Sequence, residues 1–187
     1  MNFLCLLLLS ISSVSQVVAF TITSTSTIKG RSTAELQTFL ATPTNWPSIV
    51  LSSFGVEEAD AVENKRAKIN AVDRPLKKGE RVKEIFGLPP LLPLAVTWTC
   101  QQNVVIKPNK KQVGGGCLEF FSADGLSGIA ENCSMKFDIS AVGDDTKVDM
   151  TVEIDPVNPI ANLAPLVLKV DNDLALKVLL PLALKNA

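Results

Sequence analysis

The sequence predicts an α+β fold in which a curved antiparallel β-sheet wraps around a long C-terminal α-helix. Apolar and polar side chains alternate along several segments between residues 94 and 154, as they do in half-buried strands. Short turns containing Gly separate these segments, which favours antiparallel pairing. Apolar side chains at helical spacing fill residues 166–185. A sheet of this length must curl to cover its apolar face, and the helix can fill the concave side.

A capped helix and a Pro-bounded turn are predicted after the first strand. Ser32 and Glu35 have the S-x-x-E spacing of a capping box, in which each side chain satisfies an N–H of the first helical turn. One face of this helix carries Leu36, Phe39 and Leu40. Pro43 and Pro47 enclose Trp46 and can donate no backbone hydrogen bond. These residues predict a short helical pair that leads into the sheet.

The sheet is predicted from five segments after the helical pair: 81–86, 94–102, 117–122, 129–139 and 146–154. The alternation is cleanest in the last segment, where one face is apolar and the other is polar. Its apolar face consists of Val148, Met150, Val152 and Ile154. Residues 107–116 contain three consecutive Gly and are expected to form a flexible turn.

Residues 166–185 predict the C-terminal helix. Val170 and Leu174 lie on its main apolar stripe, whereas the polar run 171–173 is expected to be a solvated face. Pro181 should bend the helix or nearly end it. Beyond Leu174, apolar side chains cover much of the circumference, so the helix is either buried on more than one side or meets a partner.

The composition excludes several classes of site. The chain has no His and no Tyr, which excludes His-dependent catalytic triads, HExxH metal sites and His proton shuttles. Cys100, Cys117 and Cys133 are an odd number without CxxC spacing, so they predict neither a disulfide framework nor a zinc site. The run 114–116 lacks the spacing of a phosphate-binding loop. We therefore expect no metal and no cofactor.

The charge balance does not favour a nucleic-acid partner. Net charge is −1 at pH 7, so no overall field attracts an anionic polymer. Lys107 begins a small basic tip without interleaved aromatic residues, unlike a nucleic-acid surface. Asn132 begins an Asn-Cys-Ser glycosylation sequon, but it lies in the middle of a predicted strand, so we expect it to be unmodified.

The N-terminal residues predict a targeting segment. Residues 1–19 are predicted to be a signal peptide, with Val17 and Ala19 in the small-residue pattern of a cleavage site. Residues 20–31 have the Ser/Thr-rich composition of a short transit stretch, but the same residues alternate like a first strand. The Ala-Phe junction resembles the bipartite plastid presequences of diatoms and related algae. The expected location is the plastid of an alga with a complex plastid, and the alternative is secretion or the endomembrane lumen.

Several stretches resemble START-like domains of the SRPBCC superfamily, which includes polyketide cyclase/dehydrase and lipid-transport proteins. AELQTFLATPTNWPSIV, residues 34–50, is similar to the helical pair that ends in a D/T-P-x-x-W-P turn in that family. Residues 87–98, 118–139 and 171–184 resemble plastid members from plants and algae. The resemblance implies a single START-like domain over residues 21–187, with a helix-grip fold around a hydrophobic tunnel. It brings no catalytic residue set with it.

The candidate site residues are apolar side chains of the strands and the C-terminal helix. They either line a cavity between sheet and helix or simply pack the core: Trp98, Phe120, Met135, Phe137, Met150, Val170 and Leu174. Glu84, Glu119 and Glu131 lie in or beside strands and could orient a ligand. A carboxyl among them that was buried would have a raised pKa and could act as a general acid or base.

Three functions agree with these observations. The first is binding or transport of a hydrophobic small molecule, such as a lipid, an isoprenoid or a pigment-like compound, in an internal cavity. The second is a polyketide cyclase/dehydratase-like enzyme that uses a cavity carboxylate. The third is docking on a membrane or a partner through the apolar C-terminal helix, with transient membrane contact. A hydrophobic small molecule is the partner that the first two share.

Overall fold

The computed structural model describes residues 18–59, 73–87, 94–107, 114–122, 124–128, 130–157 and 164–186. Seven strands form one antiparallel sheet with the order β1-β7-β6-β5-β4-β3-β2. The strands are β1 (Phe20–Ile28), β2 (Ser53–Glu58), β3 (Arg81–Phe86), β4 (Leu94–Ile106), β5 (Gly115–Ser122), β6 (Ala130–Val142) and β7 (Asp145–Pro156). Each strand from β2 to β7 pairs with its neighbour in sequence, and β1 adds to the free edge of β7.

The main helical elements lie after β1 and at the C-terminal end, and a short helical turn with positive φ angles (Gly125–Gly128) lies between β5 and β6. Helix α1 (Thr33–Ala41) and a 3₁₀ helix (Pro43–Ser48) form the predicted short pair. The C-terminal helix consists of three consecutive parts: α2 (Ala164–Leu174), a π-helical turn (Ala175–Leu179) and α3 (Leu180–Asn186). This arrangement confirms the predicted fold class, a curved antiparallel sheet with a long C-terminal helix. Among the described residues, no helix is long and apolar enough to span a membrane.

The capping box begins α1 as predicted. The backbone N–H of Glu35 donates to Ser32 Oγ at 3.2 Å, and the backbone N–H of Ser32 donates to Glu35 Oε2 at 2.9 Å. Two N–H groups that a helix start leaves unpaired are therefore satisfied by local side chains. This sequence-local bonding explains why the helix begins at Thr33.

Trp46 ties the Pro-bounded turn to the sheet. Its side chain is buried, and its indole Nε1–H donates to the carbonyl oxygen of Leu40 at 2.9 Å. Its ring meets Phe120 of β5 edge-to-face, with ring centroids 5.2 Å apart. Trp46 is therefore a packing anchor that holds the end of α1 against the inner face of the sheet.

Pro181 lies inside the C-terminal helix without ending it. A proline lacks the N–H of the regular ladder, and its ring clashes with the carbonyl group four residues earlier. The preceding turn is widened to π-helical geometry, with the Leu180 N–H donating to the Ala175 carbonyl oxygen. Because this wider turn makes room for the ring, the helix continues to Asn186.

The strand faces follow the predicted alternation. On β7, Val148, Met150, Val152 and Ile154 are all buried on the inner face. β1 pairs along its full length with β7, from Phe20 opposite Ile154 to Ile28 opposite Thr146. Residues 20–28 therefore form a strand. The transit stretch 20–31 and the signal peptide 1–19 stay predictions, and residues 1–17 lie outside the described residues.

The glycine run has a different role from the predicted flexible turn. β5 already begins at Gly115, and a Cβ on Gly116 would stand only 1.6 Å from Gln37 Oε1. Gln37 is a buried residue of α1, and its Nε2 donates to Asn103 Oδ1 at 2.7 Å and to the Val104 carbonyl oxygen at 2.9 Å. Glycine at position 116 therefore permits the close approach of α1 to the sheet.

Candidate functional site

The strand residues predicted to line a cavity share the inner face of the sheet. Trp98 on β4 and Phe120 on β5 are buried there, as are Phe137 on β6 and Met150 on β7. Met135 lies on the same face of β6 and is partly buried against the core. These five side chains form one apolar surface that faces the inside of the fold. Their role as ligand contacts stays a prediction, because the same surface also packs the core.

The two helix residues of the predicted set lie elsewhere. Val170 is 61% exposed, and Leu174 is half-buried. The buried side of the C-terminal helix instead carries Asn172, Ala175, Leu176, Leu180 and Leu184. Apolar residues surround much of this helix, so spacing alone did not identify the side that meets the sheet. The π-helical turn also shifts the faces after Leu174 relative to a regular helix.

Of the three candidate acids, Glu84 on β3 is the one that lies on the inner face, where it is 2% exposed. Glu119 lies on the outer face of β5, opposite Lys136 of β6. Glu131 is exposed at an irregularity of β6 that separates Ala130 from Asn132. The strand alternation therefore turns Glu119 away from the interior, and Glu131 faces solvent.

One hydrogen bond holds the Glu84 carboxyl group, and its second oxygen has no hydrogen-bond partner. The indole Nε1–H of Trp98 donates to Glu84 Oε2 at 2.9 Å. Glu84 Oε1 is buried without a hydrogen-bond partner. Ser53, a buried residue of the neighbouring strand β2, also has an Oγ without a partner. Two polar groups with unused bonding capacity thus stand on adjacent strands in otherwise apolar surroundings.

Burial raises the pKa of Glu84 to about 7. The Ser53 hydroxyl and the Trp98 indole oppose this shift, while the negative charge of Asp171 adds to it. The Ser53 hydroxyl is thus near enough to influence the carboxyl, although its geometry falls short of a hydrogen bond. A carboxyl with a pKa near 7 exists in both protonation states at neutral pH, so it can either donate or accept a proton.

Asp171 brings a second acid from the C-terminal helix. It is half-buried, and burial raises its pKa, whereas the Ser52 hydroxyl and the Leu51 backbone N–H lower it. The Ser52 Oγ to Asp171 Oδ2 distance is 3.5 Å. The next residue, Asn172, is 6% exposed, and its Nδ2 has no hydrogen-bond partner. The prediction that residues 171–173 form a solvated face is wrong for Asn172, because this side of the helix packs into the fold.

The candidate site is therefore a small polar cluster on an apolar wall, built from Ser53, Glu84, Trp98 and Asp171. Hydrogen bonding and proton transfer are the chemistry that it can perform. Within the described ranges, no group of three or more possible metal-ligating side chains occurs. Sequence reasoning named Glu84 and Trp98 separately and missed Ser53 and Asp171. Their sequence signal was slight, since Ser and Asp are ordinary surface residues.

An open concave feature lies on the outer face of the sheet, away from Glu84. It is an open groove of about 500 Å³ whose lining includes Phe121, Asn132, Glu153 and Asp155. Asn132 Nδ2 donates to Asp155 Oδ2 at 3.1 Å, and Asn132 is exposed. The sequon residue thus points outward, and the expectation that it is unmodified stays a prediction.

Comparisons with known proteins bear on the fold. No family model and no curated protein matches the chain. The chain is similar to Ara h 8.0201, with 14% identity, 90% of this chain and 100% of that chain covered, and a TM-score of 0.57. It is similar to major latex-like protein 151 from Panax ginseng, with 15% identity, coverage of 84% and 95%, and a TM-score of 0.52.

A third similar structure is the di-domain ARO/CYC BexL from the BE-7585A biosynthetic pathway. Identity is 14%, the match covers 88% of this chain and 47% of that chain, and the TM-score is 0.58. Identities this low establish the fold alone, which is the helix-grip fold of START-like proteins.

Proposed function

We propose that this helix-grip protein binds a hydrophobic small molecule between the inner face of its sheet and its C-terminal helix. The observation that carries the proposal is the carboxyl group of Glu84, which is buried on an apolar wall with Oε1 unpaired. Ligand sites are typically apolar surfaces with a few polar groups that orient the ligand. Glu84, Ser53 and Trp98 are those polar groups in the proposal, and the predicted apolar set supplies the wall.

The free-energy cost of unpaired buried polar atoms favours a site that binds a ligand over a core that only packs. A buried polar atom without a hydrogen bond costs about 1–3 kcal/mol, and most buried polar atoms in folded proteins are therefore paired. A core without a ligand function would be more stable with an apolar residue at position 84. A ligand oxygen placed between Ser53 Oγ and Glu84 Oε1 would offset the cost at both atoms.

Tryptophan fluorescence tests the proposal directly. The chain has two Trp, Trp46 and Trp98, and no Tyr, so its emission comes from these two residues. In a Trp46→Phe variant, Trp98 reports alone from its position beside Glu84. We expect the neutral apolar dye N-phenyl-naphthylamine to quench Trp98 saturably and to gain fluorescence itself.

Native mass spectrometry of protein purified from its own source provides the complementary test. A bound apolar molecule of defined mass supports the proposal. Protein that is consistently empty, together with no saturable dye binding, would contradict it.

An enzyme is the second candidate, and the raised pKa of Glu84 favours it. A carboxyl with a pKa of about 7 is suited to removing a proton beside a carbonyl group and to protonating a departing hydroxyl. The similarity to BexL, an ARO/CYC protein, supports a cyclase/dehydratase-like activity. Incubation with a β-hydroxy ketone should release water and form an absorbing enone. Glu84→Gln should return that rate to the uncatalysed background, and an equal rate in the variant would exclude this role.

Docking on a membrane is the third candidate, favoured by the exposed apolar side chains of the C-terminal helix. These are Leu166, Val167, Val170, Val178 and Leu182, each more than half exposed. Such a stripe can insert shallowly into a lipid surface. We expect the protein to float with phosphatidylcholine vesicles, and a Leu166→Glu/Val167→Glu double variant to remain in solution while keeping its circular dichroism spectrum. Equal flotation of both proteins would exclude this surface.

We also propose a plastid location, which rests on the composition of residues 1–31. The test is the full-length chain with a fluorescent protein at its C-terminus, expressed in an alga with a complex plastid. Fluorescence that coincides with chlorophyll supports the proposal. Fluorescence confined to the endomembrane lumen or the medium would favour the alternative route.

A further inference from the structure

The unpaired atoms of the candidate site bear on the chemistry of the ligand's polar end, and the inference rests on the proposed function. Ser53 Oγ on β2 and Glu84 Oε1 on β3 are both buried without a partner. Asn172 Nδ2, one residue along the helix from Asp171, is also buried without a hydrogen-bond partner. The Ser53 hydroxyl and the Asn172 amide nitrogen are hydrogen-bond donors, so two of the three groups can bind an acceptor atom.

The third atom also becomes a donor when Glu84 is protonated. Trp98 donates its indole N–H to Oε2, which makes Oε2 the acceptor oxygen of the carboxyl group. The proton of the neutral acid then resides on Oε1, which is the unpaired oxygen. Glu84 and Ser53 thus present two O–H groups side by side on adjacent strands.

Within the described part of the chain, the charge that perturbs Glu84 is the negative charge of Asp171. The helix cations Lys169 and Lys177 are engaged with Asp173, at 2.6 Å and 3.2 Å. Within the described ranges, an anionic ligand would therefore meet the negative charge of Asp171 and that of the ionised fraction of Glu84. Its carboxylate would be strongly disfavoured in this poorly solvated region.

We propose that the ligand is an uncharged apolar molecule whose polar end is a carbonyl or hydroxyl oxygen, which Ser53 and Glu84 bind, and that carboxylate-bearing lipids are rejected. The oxygen accepts from the Ser53 and Glu84 hydroxyls, and the apolar body lies along the wall that contains Trp98 and Phe120. When Glu84 is protonated, Asp171 is the negative charge that acts from the helix side and disfavours an anionic end.

Competition among three ligands of equal chain length tests this proposal. Dodecanol, dodecan-2-one and dodecanoate differ only in their polar ends, and each is titrated into the protein loaded with N-phenyl-naphthylamine at neutral pH. From dye displacement, we expect the alcohol and the ketone to bind at least about tenfold more tightly than dodecanoate, a difference in binding free energy of about 1.4 kcal/mol. Equal affinity for all three ligands would overturn the proposed ligand class while leaving hydrophobic binding intact.

Glu84→Gln tests the residue assignment. The amide keeps the size, an acceptor for Trp98 and a donor for the ligand, but it removes the acid. We expect this variant to retain dodecanol binding and to narrow the discrimination against dodecanoate to about threefold or less. Glu119→Gln is the matched control, because Glu119 lies on the outer face, and its discrimination should equal that of the unaltered protein.

Two further measurements keep the proposal falsifiable if Glu84→Gln does not fold. Asp171→Asn should also weaken the rejection of dodecanoate, because it removes the negative charge that acts on Glu84. In the unaltered protein, raising the pH above the Glu84 pKa of about 7 should weaken ketone binding more than alcohol binding, since ionised Glu84 only accepts. The proposal would be overturned if Asp171→Asn rejected dodecanoate as strongly as the unaltered protein and the ratio of ketone to alcohol affinity did not change with pH. Failure of every ligand and of the dye to bind would overturn the proposed function as well.

Discussion

Glu84 is a buried acid whose surroundings depart from simple core packing. Strand alternation directs it to the inner face of β3, where apolar residues such as Val82 and Val96 surround it. Its single hydrogen bond, from Trp98, leaves the carboxyl incompletely satisfied. Acids whose pKa is strongly raised by burial are enriched at functional sites. The residue therefore marks the site more strongly than any motif in the sequence.

The pH dependence of stability should show the burial of Glu84. Its folded pKa of about 7 lies above its ordinary value of 4.5, so the folded chain holds a proton that the unfolded chain has released. The contribution of Glu84 to stability is therefore greatest below pH 4.5 and declines as the pH rises through this window, by about 3 kcal/mol in total. Urea unfolding between pH 4.5 and 8 measures this decline, which Glu84→Gln should reduce.

Two other acids also affect the pH dependence of stability. Burial also raises the pKa of Asp171, so part of the same downward slope should survive in Glu84→Gln. Glu80 acts in the opposite direction, because its hydrogen bonds with Arg74 lower its pKa to about 2. Its stabilisation is lost only as the pH falls below 4.5, which is a separate window. A stability that rises between pH 5 and 8 in the unaltered protein would contradict the burial of Glu84.

Gly116 is the second position at which a single side chain matters. An added methyl group would overlap Gln37 Oε1, and Gln37 is fixed by its bonds to Asn103 and Val104. We expect Gly116→Ala to lower the free energy of unfolding by about 1–3 kcal/mol through overpacking. Gly55→Ala is the matched control, since its added Cβ would meet no atom within 4 Å. Equal losses in both variants would contradict the proposed close approach.

At the scale of an element, the start of α1 depends on local side-chain bonding. The reciprocal bonds between Ser32 and Glu35 are both present. We expect Ser32→Ala to lower the free energy of unfolding by about 1 kcal/mol, the usual effect of losing an N-cap. Thr38→Ala on the exposed side of the same helix should change it little. A loss in Thr38→Ala as large as in Ser32→Ala would show that the cap is not responsible.

The C-terminal helix illustrates the limit of reasoning from spacing. Val170 and Leu174 fall on one apolar stripe, yet the stripe that the fold buries contains Leu176, Leu180 and Leu184. Both stripes are apolar enough to be buried, so the choice between them depends on where the helix contacts the sheet. The π-helical turn before Pro181 changes the relation between the two ends of the helix, and a regular periodicity cannot represent this change.

At the scale of the whole molecule, β1 limits where the mature chain can begin. It covers the edge of β7 and buries Ile22 and Ile28 in the interior. Removal of residues 1–19 should therefore leave a folded domain with an unchanged thermal transition. Removal of residues 1–31 should abolish cooperative unfolding, because it exposes the edge and part of the core.

The N-terminus of the protein from its own source provides a direct check on this limit. Mass spectrometry should locate it at or before the first residues of β1, which begins at Phe20. A mature chain that starts after Ile28 and still unfolds cooperatively would contradict the requirement for β1. It would also mean that the transit interpretation of residues 20–31 outweighs the strand interpretation.

Much of the fold was accessible from the sequence because its signals are local. The two-residue period of the strands predicted the inner faces of β4, β6 and β7, including Trp98, Phe137 and Met150. The spacing of Ser32 and Glu35 predicted the start of α1, because a capping box needs no distant partner. The absence of His and Tyr excluded whole classes of chemistry, because folding cannot supply a side chain that the chain lacks.

Only the tertiary structure decided which polar groups meet. Glu84, Glu119 and Glu131 were equivalent candidates in the sequence, since each lies in or beside a strand. Burial distinguished Glu84, and burial depends on which face of the sheet the helices cover. Ser53 and Asp171 joined the site because β2 and the C-terminal helix converge on β3 from distant parts of the chain. Desolvation and the charge of Asp171 raise the pKa of Glu84 and give the site its chemistry. Both effects come from residues that are distant from Glu84 in the sequence.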